Sequence, residues 1–169
     1  MVPPTVEKRF HGDRGSVQFW VESQFSLEGM RQAKAQPPES VTLSWNRAVY
    51  LQRAFDNLIS NEDRHARNAL VTRDWRLILI DHSRAFRTSK EFTEKLLYTE
   101  RNKEGDRSMK ELPRPFVEKL KGLTFESIRS AVGEYLTDDQ IKATLKRRDL
   151  MLADIDRLIQ KNGGKNVLY

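Results

Sequence analysis

Asp63, Asn68 and Asp81 are the residues whose types and spacing best suit chemistry. A carboxylate is followed five residues later by a side-chain amide and thirteen beyond that by a second carboxylate. All three offer hard oxygen atoms, the ligands that divalent cations such as magnesium prefer. Transfer of a γ-phosphoryl group asks the protein mainly for positioning and charge neutralisation, so this short set covers much of what is needed. In that chemistry Asp63 would orient an acceptor hydroxyl and take its proton, while Asn68 and Asp81 would hold magnesium against the nucleotide phosphates. Two neighbours could assist, His65 in proton transfer and Arg64 by orienting Asp63 or a substrate oxygen.

The elements around these residues must bring them together. From about Leu43 to Ser60 the apolar positions Ala48, Val49, Leu51, Phe55, Leu58 and Ile59 fit helical spacing, so a helix delivers the chain to Asn61. Ala69–Thr72 and Leu77–Ile80 read as the arms of a hairpin around Arg73–Arg76, a turn that lacks glycine. Asp63 and Asn68 precede this hairpin and Asp81 follows it, and antiparallel pairing would return its two ends to one place. The expectation is that all three residues gather around one magnesium pocket.

Upstream, residues 2–6 and 16–22 read as strands joined by residues 7–15, with Val17, Phe19 and Val21 on one apolar face. Residues 23–40 read as a connector ending in Pro37-Pro38. Downstream of Phe86 the pattern is helical, with segments starting near Ser89, Pro115 and Thr124, interrupted by the polar stretch Thr99–Lys110 and by Gly122. The last helix is marked by Thr137 as N-cap, Gln140 as its capping-box partner and Gly163-Gly164 as its stop. Its stripe of Ile141, Leu145, Leu152, Ile155 and Ile159 is expected to be core. Trp20, Trp45 and Trp75 are expected as core or loop-covering aromatics.

The run Asp63-Arg64-His65-Ala66-Arg67-Asn68 with Ile80-Asp81 downstream resembles the catalytic and metal-binding loops of the phosphoinositide 3-/4-kinase-like branch of the protein-kinase superfamily; HipA-type and secretory-pathway kinases are related possibilities. The resemblance implies that Asp63 is the catalytic aspartate, Asn68 the metal-binding asparagine and Asp81 the magnesium-binding aspartate, with ATP and Mg2+ as cofactors. Asp81 is followed by His82-Ser83, so the switching behaviour of an aspartate-phenylalanine-glycine motif does not carry over. Residues 1–22 resemble the last strands of a kinase N-lobe and its hinge, where Gln18, Trp20, Val21 and Glu22 would bind the nucleotide, its adenine against the backbone of Trp20 to Glu22. The implied fold class is α+β: a mostly helical, protein-kinase-like C-terminal lobe with a catalytic-loop β-hairpin, two residual N-lobe strands and the hinge. The implied organisation is 1–22 strands and hinge, 23–42 linker, and 43–169 helical lobe. A glycine-rich phosphate-covering loop, a strand lysine and its acidic helix have no counterpart in this sequence; Gly12-Asp13-Arg14-Gly15 reads as a β-turn, and nothing marks Lys8 as the phosphate-binding lysine. The expectation is a truncated form of a longer kinase, or else a short protein that has lost autonomous catalysis, and in either case weak or absent phosphotransfer by the chain alone. The partners implied are a nucleotide and a hydroxyl-bearing acceptor on protein, lipid or small molecule.

Composition sets the outer limits. With 169 residues, 38% hydrophobic and 32% charged, the chain fits one domain able to bury a core. No apolar run reaches the roughly 20 residues of a membrane span and the start lacks the regions of a secretory signal, so the expected location is cytoplasmic. Zero cysteines exclude disulfides and thiolate metal sites. The net charge of +6 comes from interleaved acids and bases and gives no strong nucleic-acid signal. Lys142, Lys146, Arg147 and Arg148 form the densest basic cluster, read as the solvated face of a helix. Two alternatives stand beside phosphoryl transfer: a metal-dependent hydrolase using Asp63, His65, Asp81 and His82, and a non-catalytic binding module using the basic helix.

Overall fold

The computed structural model describes every residue except 101, 103 and 104, so part of the polar stretch Thr99–Lys110 lies outside the described residues. The fold is α+β, with about 49% helix and two small antiparallel sheets. The chain divides into two compact units, residues 1–48 with 64–81 and residues 49–63 with 82–169.

The first unit contains both sheets. Strands β1 (Thr5–Phe10) and β2 (Asp13–Gln18) pair antiparallel from Thr5↔Gln18 to Phe10↔Asp13. The expected strands are thereby displaced: the hairpin turns at His11-Gly12, both with positive φ, and residues 7–10 and 13–15 are strand and not loop. A two-residue turn with both φ angles positive matches the right-handed twist of the flanking strands, and glycine at its second position permits it. Residues expected as loop thus sit in the ladder, where Arg14 donates to Glu7 across the strands at 2.6 Å. Every residue of both strands is exposed, including the facing pair Val6 and Val17. Of the expected apolar face of Val17, Phe19 and Val21, only Val17 lies in a strand, and Val17 and Phe19 are exposed. Phe19 to Ser23 lie outside regular structure, and Trp20, expected as a covered aromatic, is 85% exposed.

The stretch expected as a connector is partly structured. It contains β3 (Phe25–Ser26) and helix α1 (Leu27–Gln32), which Ser26 caps by accepting from the Gly29 amide. Strand β3 joins β4 (Ala69–Val71), which pairs with β5 (Leu77–Leu79) in the order β3-β4-β5. The expected hairpin is therefore present, with register Ala69↔Leu79 to Val71↔Leu77. Its glycine-free turn is closed by Thr72, whose hydroxyl donates to Asp74 and accepts from the Arg76 amide, while Trp75 takes φ 60° and meets Trp45 edge to face. Ala69, Val71, Leu77, Ile78, Leu79 and Met30 are the buried apolar residues of this unit.

Helix α2 (Glu39–Ile59) begins in the first unit and ends in the second. In the second unit it is followed by α3 (Lys90–Thr93), α4 (Arg114–Lys121), α5 (Phe125–Val132), α6 (Asp138–Asn162) and α7 (Gly164–Val167). Thr137 and Gln140 form the expected capping box of α6, which ends at Gly163 with φ 85°. The main core joins Ala54, Met109, Leu112, Val117, Leu120, Met151 and Ile155, and a smaller cluster joins Ile128, Leu136 and Ile141. Of the expected stripe on α6, Ile141 and Ile155 are fully buried, with Leu145, Leu152 and Ile159 packed partly buried against the two clusters. Arg147 corrects the reading of the basic cluster: its residue is only 1% exposed, so it belongs to the interior and not to a solvated face.

Candidate functional site

In the first unit, hairpin β4–β5 places Asn68 immediately before its first strand and Asp81 just after its second. The Ile80 amide donates to the Asn68 carbonyl at 3.1 Å, extending the ladder to Asn68 and to the residue before Asp81. Arg64 reinforces this junction. One guanidinium nitrogen donates to both the Asn68 carbonyl at 2.7 Å and the Ile80 carbonyl at 2.6 Å, fixing the two chain ends at one spacing. Charged donors strengthen such bonds relative to neutral ones. Arg64, expected to orient Asp63 or substrate, thus has a backbone role that spacing alone did not suggest.

Asn68 is buried and ends a single turn of 3-10 helix, Ala66–Asn68. His65 caps that turn, its Nδ1 accepting from the Arg67 amide at 3.2 Å. An accepting Nδ1 on a neutral ring places the proton on Nε2, so the edge of His65 left for a ligand is a donor. Asp81 is exposed and has φ 53°, a left-handed conformation that aspartate and asparagine visit more readily than most residues.

Asp63 belongs to the second unit. Its amide donates to the Asn61 side-chain oxygen at 3.3 Å, a local turn set by an asparagine side chain. The end of α2 and the two residues after it carry buried polar residues, Asp56 and Asn57 on the helix and Ser60 and Asn61 beyond it. Asn57 reads the Tyr98 backbone from both sides, its amide donating to the carbonyl at 3.0 Å and its oxygen accepting from the Tyr98 amide at 2.8 Å. Ser60 takes φ 50° and Phe86 donates its amide to the Ile59 carbonyl at 2.5 Å. Glu62 accepts from Arg87 at 2.6 Å. Sequence reasoning missed this polar group; the available signal was Asp56-Asn57 standing between Phe55 and Leu58 inside an otherwise apolar stripe. His82 packs its ring edge-on against Phe55, centroids 5.5 Å apart.

The first unit also has a cleft of about 910 Å3, lined among others by Trp20, Val21, Glu22, Thr72, Arg73 and Ile78. This is within the usual size of small-molecule sites. Three of the four residues expected at the nucleotide line it. Gln18 does not; its amide donates to Thr5 Oγ1 in the β1–β2 ladder.

An exposed carboxylate and an adjacent amide-bearing residue suit magnesium, which takes one or two protein oxygens and completes its shell with phosphate and water. Among the described residues no group of three or more histidines, aspartates and glutamates is placed to hold a metal by itself, and none of the helices is long and apolar enough to cross a membrane. No family model matches this chain, and no curated protein matches it.

Proposed function

We propose that the chain carries part of a magnesium-dependent phosphoryl-transfer site of the phosphoinositide 3-/4-kinase-like kind, taking the ATP γ-phosphoryl to a hydroxyl acceptor. The observation that supports this reading is the junction at the open end of β4–β5. Antiparallel pairing and the Arg64 guanidinium hold Asn68 and Asp81 at neighbouring chain ends. The hairpin thus offers a physical reason why residues thirteen apart along the chain would act as a pair of oxygen donors.

In this reading Asn68 supplies a neutral oxygen and Asp81 a charged one, so the pair binds a hard cation without the repulsion that a second carboxylate would add against phosphate. Bound magnesium would offset the negative charge of the nucleotide phosphates. The resemblance gives Asp63 the role of accepting the proton of the acceptor hydroxyl, and within the first unit the cleft beside Trp20 to Glu22 would take the adenine. His65 donates through Nε2 to a phosphate or acceptor oxygen.

The test is binding before turnover. Manganese, as a spectroscopic substitute for magnesium, is titrated into the protein with and without ATP. Nucleotide-dependent binding that falls at least about tenfold in Asp81→Asn and Asn68→Ala is the expected outcome. Tight metal binding without nucleotide, lost in His65→Ala and His82→Ala, would instead establish the hydrolase alternative and overturn phosphoryl transfer.

A further inference from the structure

Within the second unit, α6 carries Arg147 into the interior, where its guanidinium makes four hydrogen bonds. Nε donates to the Leu58 carbonyl at 2.8 Å, one terminal nitrogen to the Arg87 carbonyl at 2.7 Å and to that of Phe92 at 3.4 Å, and the other to Thr144 Oγ1 at 3.1 Å. Thr144 in turn donates to the Gln140 carbonyl on its own helix. Every hydrogen-bond partner of Arg147 is neutral. Burial lowers the pKa of this guanidinium to about 10, which leaves it charged at neutral pH.

Taking a charge out of water without a counter-charge is costly. An apolar residue would fill the same volume with no such penalty, so core packing alone does not explain an arginine here. Its rigid planar fork of donors does offer something that no apolar or flexible side chain provides, a fixed spacing between several acceptors. The acceptors are informative. Leu58 lies on the limb that ends at Asp63, and Arg87 and Phe92 lie on the limb that begins at His82. The same two limbs are tied by the Phe86 amide on the Ile59 carbonyl and by Arg87 on Glu62.

We infer that Arg147 is a positioning residue, whose guanidinium sets the geometry of the limb bearing Asp63 by clamping it to the limb that starts at His82. This rests on the phosphoryl-transfer reading for its chemical meaning, since Asp63 is there the group that faces the acceptor hydroxyl. Arg147 reaches no substrate and acts only through the backbone it holds.

The experiment compares Arg147→Lys, Arg147→Met and, as a surface control, Lys146→Met, at a temperature where circular dichroism shows each folded. Amide exchange is read by segment. In Arg147→Lys, which keeps the charge and loses the fork, exchange over residues 59–63 and 82–92 should rise by about tenfold or more. Exchange where residue 112 pairs with 167 and 169, and in the middle of α6, should change by less than about twofold. Lys146→Met should match the unmodified chain. Should Arg147→Met fail to fold, Arg147→Lys carries every comparison. A uniform rise, or none, in Arg147→Lys overturns the clamp. Manganese-nucleotide affinity of the same variant should stay within about twofold of the unmodified chain, as expected when the limb bearing Asp63 is misplaced but the nucleotide is not. A loss of that affinity as large as the rise in exchange overturns a specific positioning role. Selective exchange effects in a chain that binds no nucleotide would leave the clamp standing and remove the phosphoryl-transfer reading instead.

Discussion

Asp81 shows how backbone and chemistry constrain the same residue. At φ 53° a residue with a branched or simple Cβ is strained, whereas aspartate and asparagine tolerate the left-handed region. Asp81→Asn should therefore keep stability within about 0.5 kcal/mol, because the residue is exposed and the backbone preference is preserved. Asp81→Ala should cost about 1 kcal/mol more, the ordinary penalty of an alanine held in that conformation. Both should lose nucleotide-dependent manganese binding. Denaturant melts of the two variants separate the effects: equal stability would mean that the hairpin end does not enforce the angle, and retained manganese binding would remove Asp81 from the metal site. Residue types alone could mark Asp81 as an oxygen donor. They could not reveal Arg64's bonds to the Asn68 and Ile80 carbonyls, since a side chain aimed at backbone carbonyls leaves no trace in spacing.

The elements differ in how much of their cause is local, and that decides how legible they were. Helix α6 has both boundaries written in short motifs, Thr137 with Gln140 at one end and Gly163 at the other. Thr137→Ala should accordingly cost about 1 kcal/mol, measured as a lower thermal midpoint, because the Gln140 amide loses its acceptor. No loss would mean that solvent caps the helix equally well. Strands β4 and β5 were legible too, since both are buried apolar runs. Strand β3 was not, because two residues carry no periodicity and its position depends on pairing with Val71 and Leu70. The β1–β2 ladder was misplaced for a related reason: with both faces exposed, burial sets no register and the His11-Gly12 turn decides it. An exposed two-stranded hairpin is marginal in water. Its cross-strand amides should exchange at least about tenfold faster than those of Ala69–Val71 and Leu77–Leu79, measured on the unmodified chain. Comparable protection would show that the hairpin has a cover. Arg147 was illegible for the opposite reason, since three basic neighbours made a buried charge look like part of a solvated face.

For the molecule as a whole, acid is the informative perturbation, because several carboxylates are held below their ordinary range. Glu100 is lowered by hydrogen bonds from Arg157 and Lys161, and Asp74 by those from Thr72 and Arg76. At Asp106 burial pushes the other way, but hydrogen bonds from Ser108 and Lys110 outweigh it. A carboxylate whose folded pKa is depressed stabilises the fold above its unfolded pKa, near 4, and loses that contribution as pH falls through the folded value. Thermal midpoints should thus be nearly flat from about pH 7 to about pH 5 and decline below about pH 4. General repulsion grows over the same range, because protonating the 24 carboxylates leaves 30 lysines and arginines unbalanced. Salt distinguishes the two causes. At about 0.5 M salt repulsion between distant exposed charges is largely screened, whereas a protonated Glu100 or Asp106 has still lost its charged partner. The decline should persist in salt, and Glu100→Gln with Asp106→Asn should begin less stable at pH 7 and fall less steeply below pH 4. An acid limb that disappears in salt, or that the double variant leaves unchanged, would assign the pH dependence to net charge and not to these contacts.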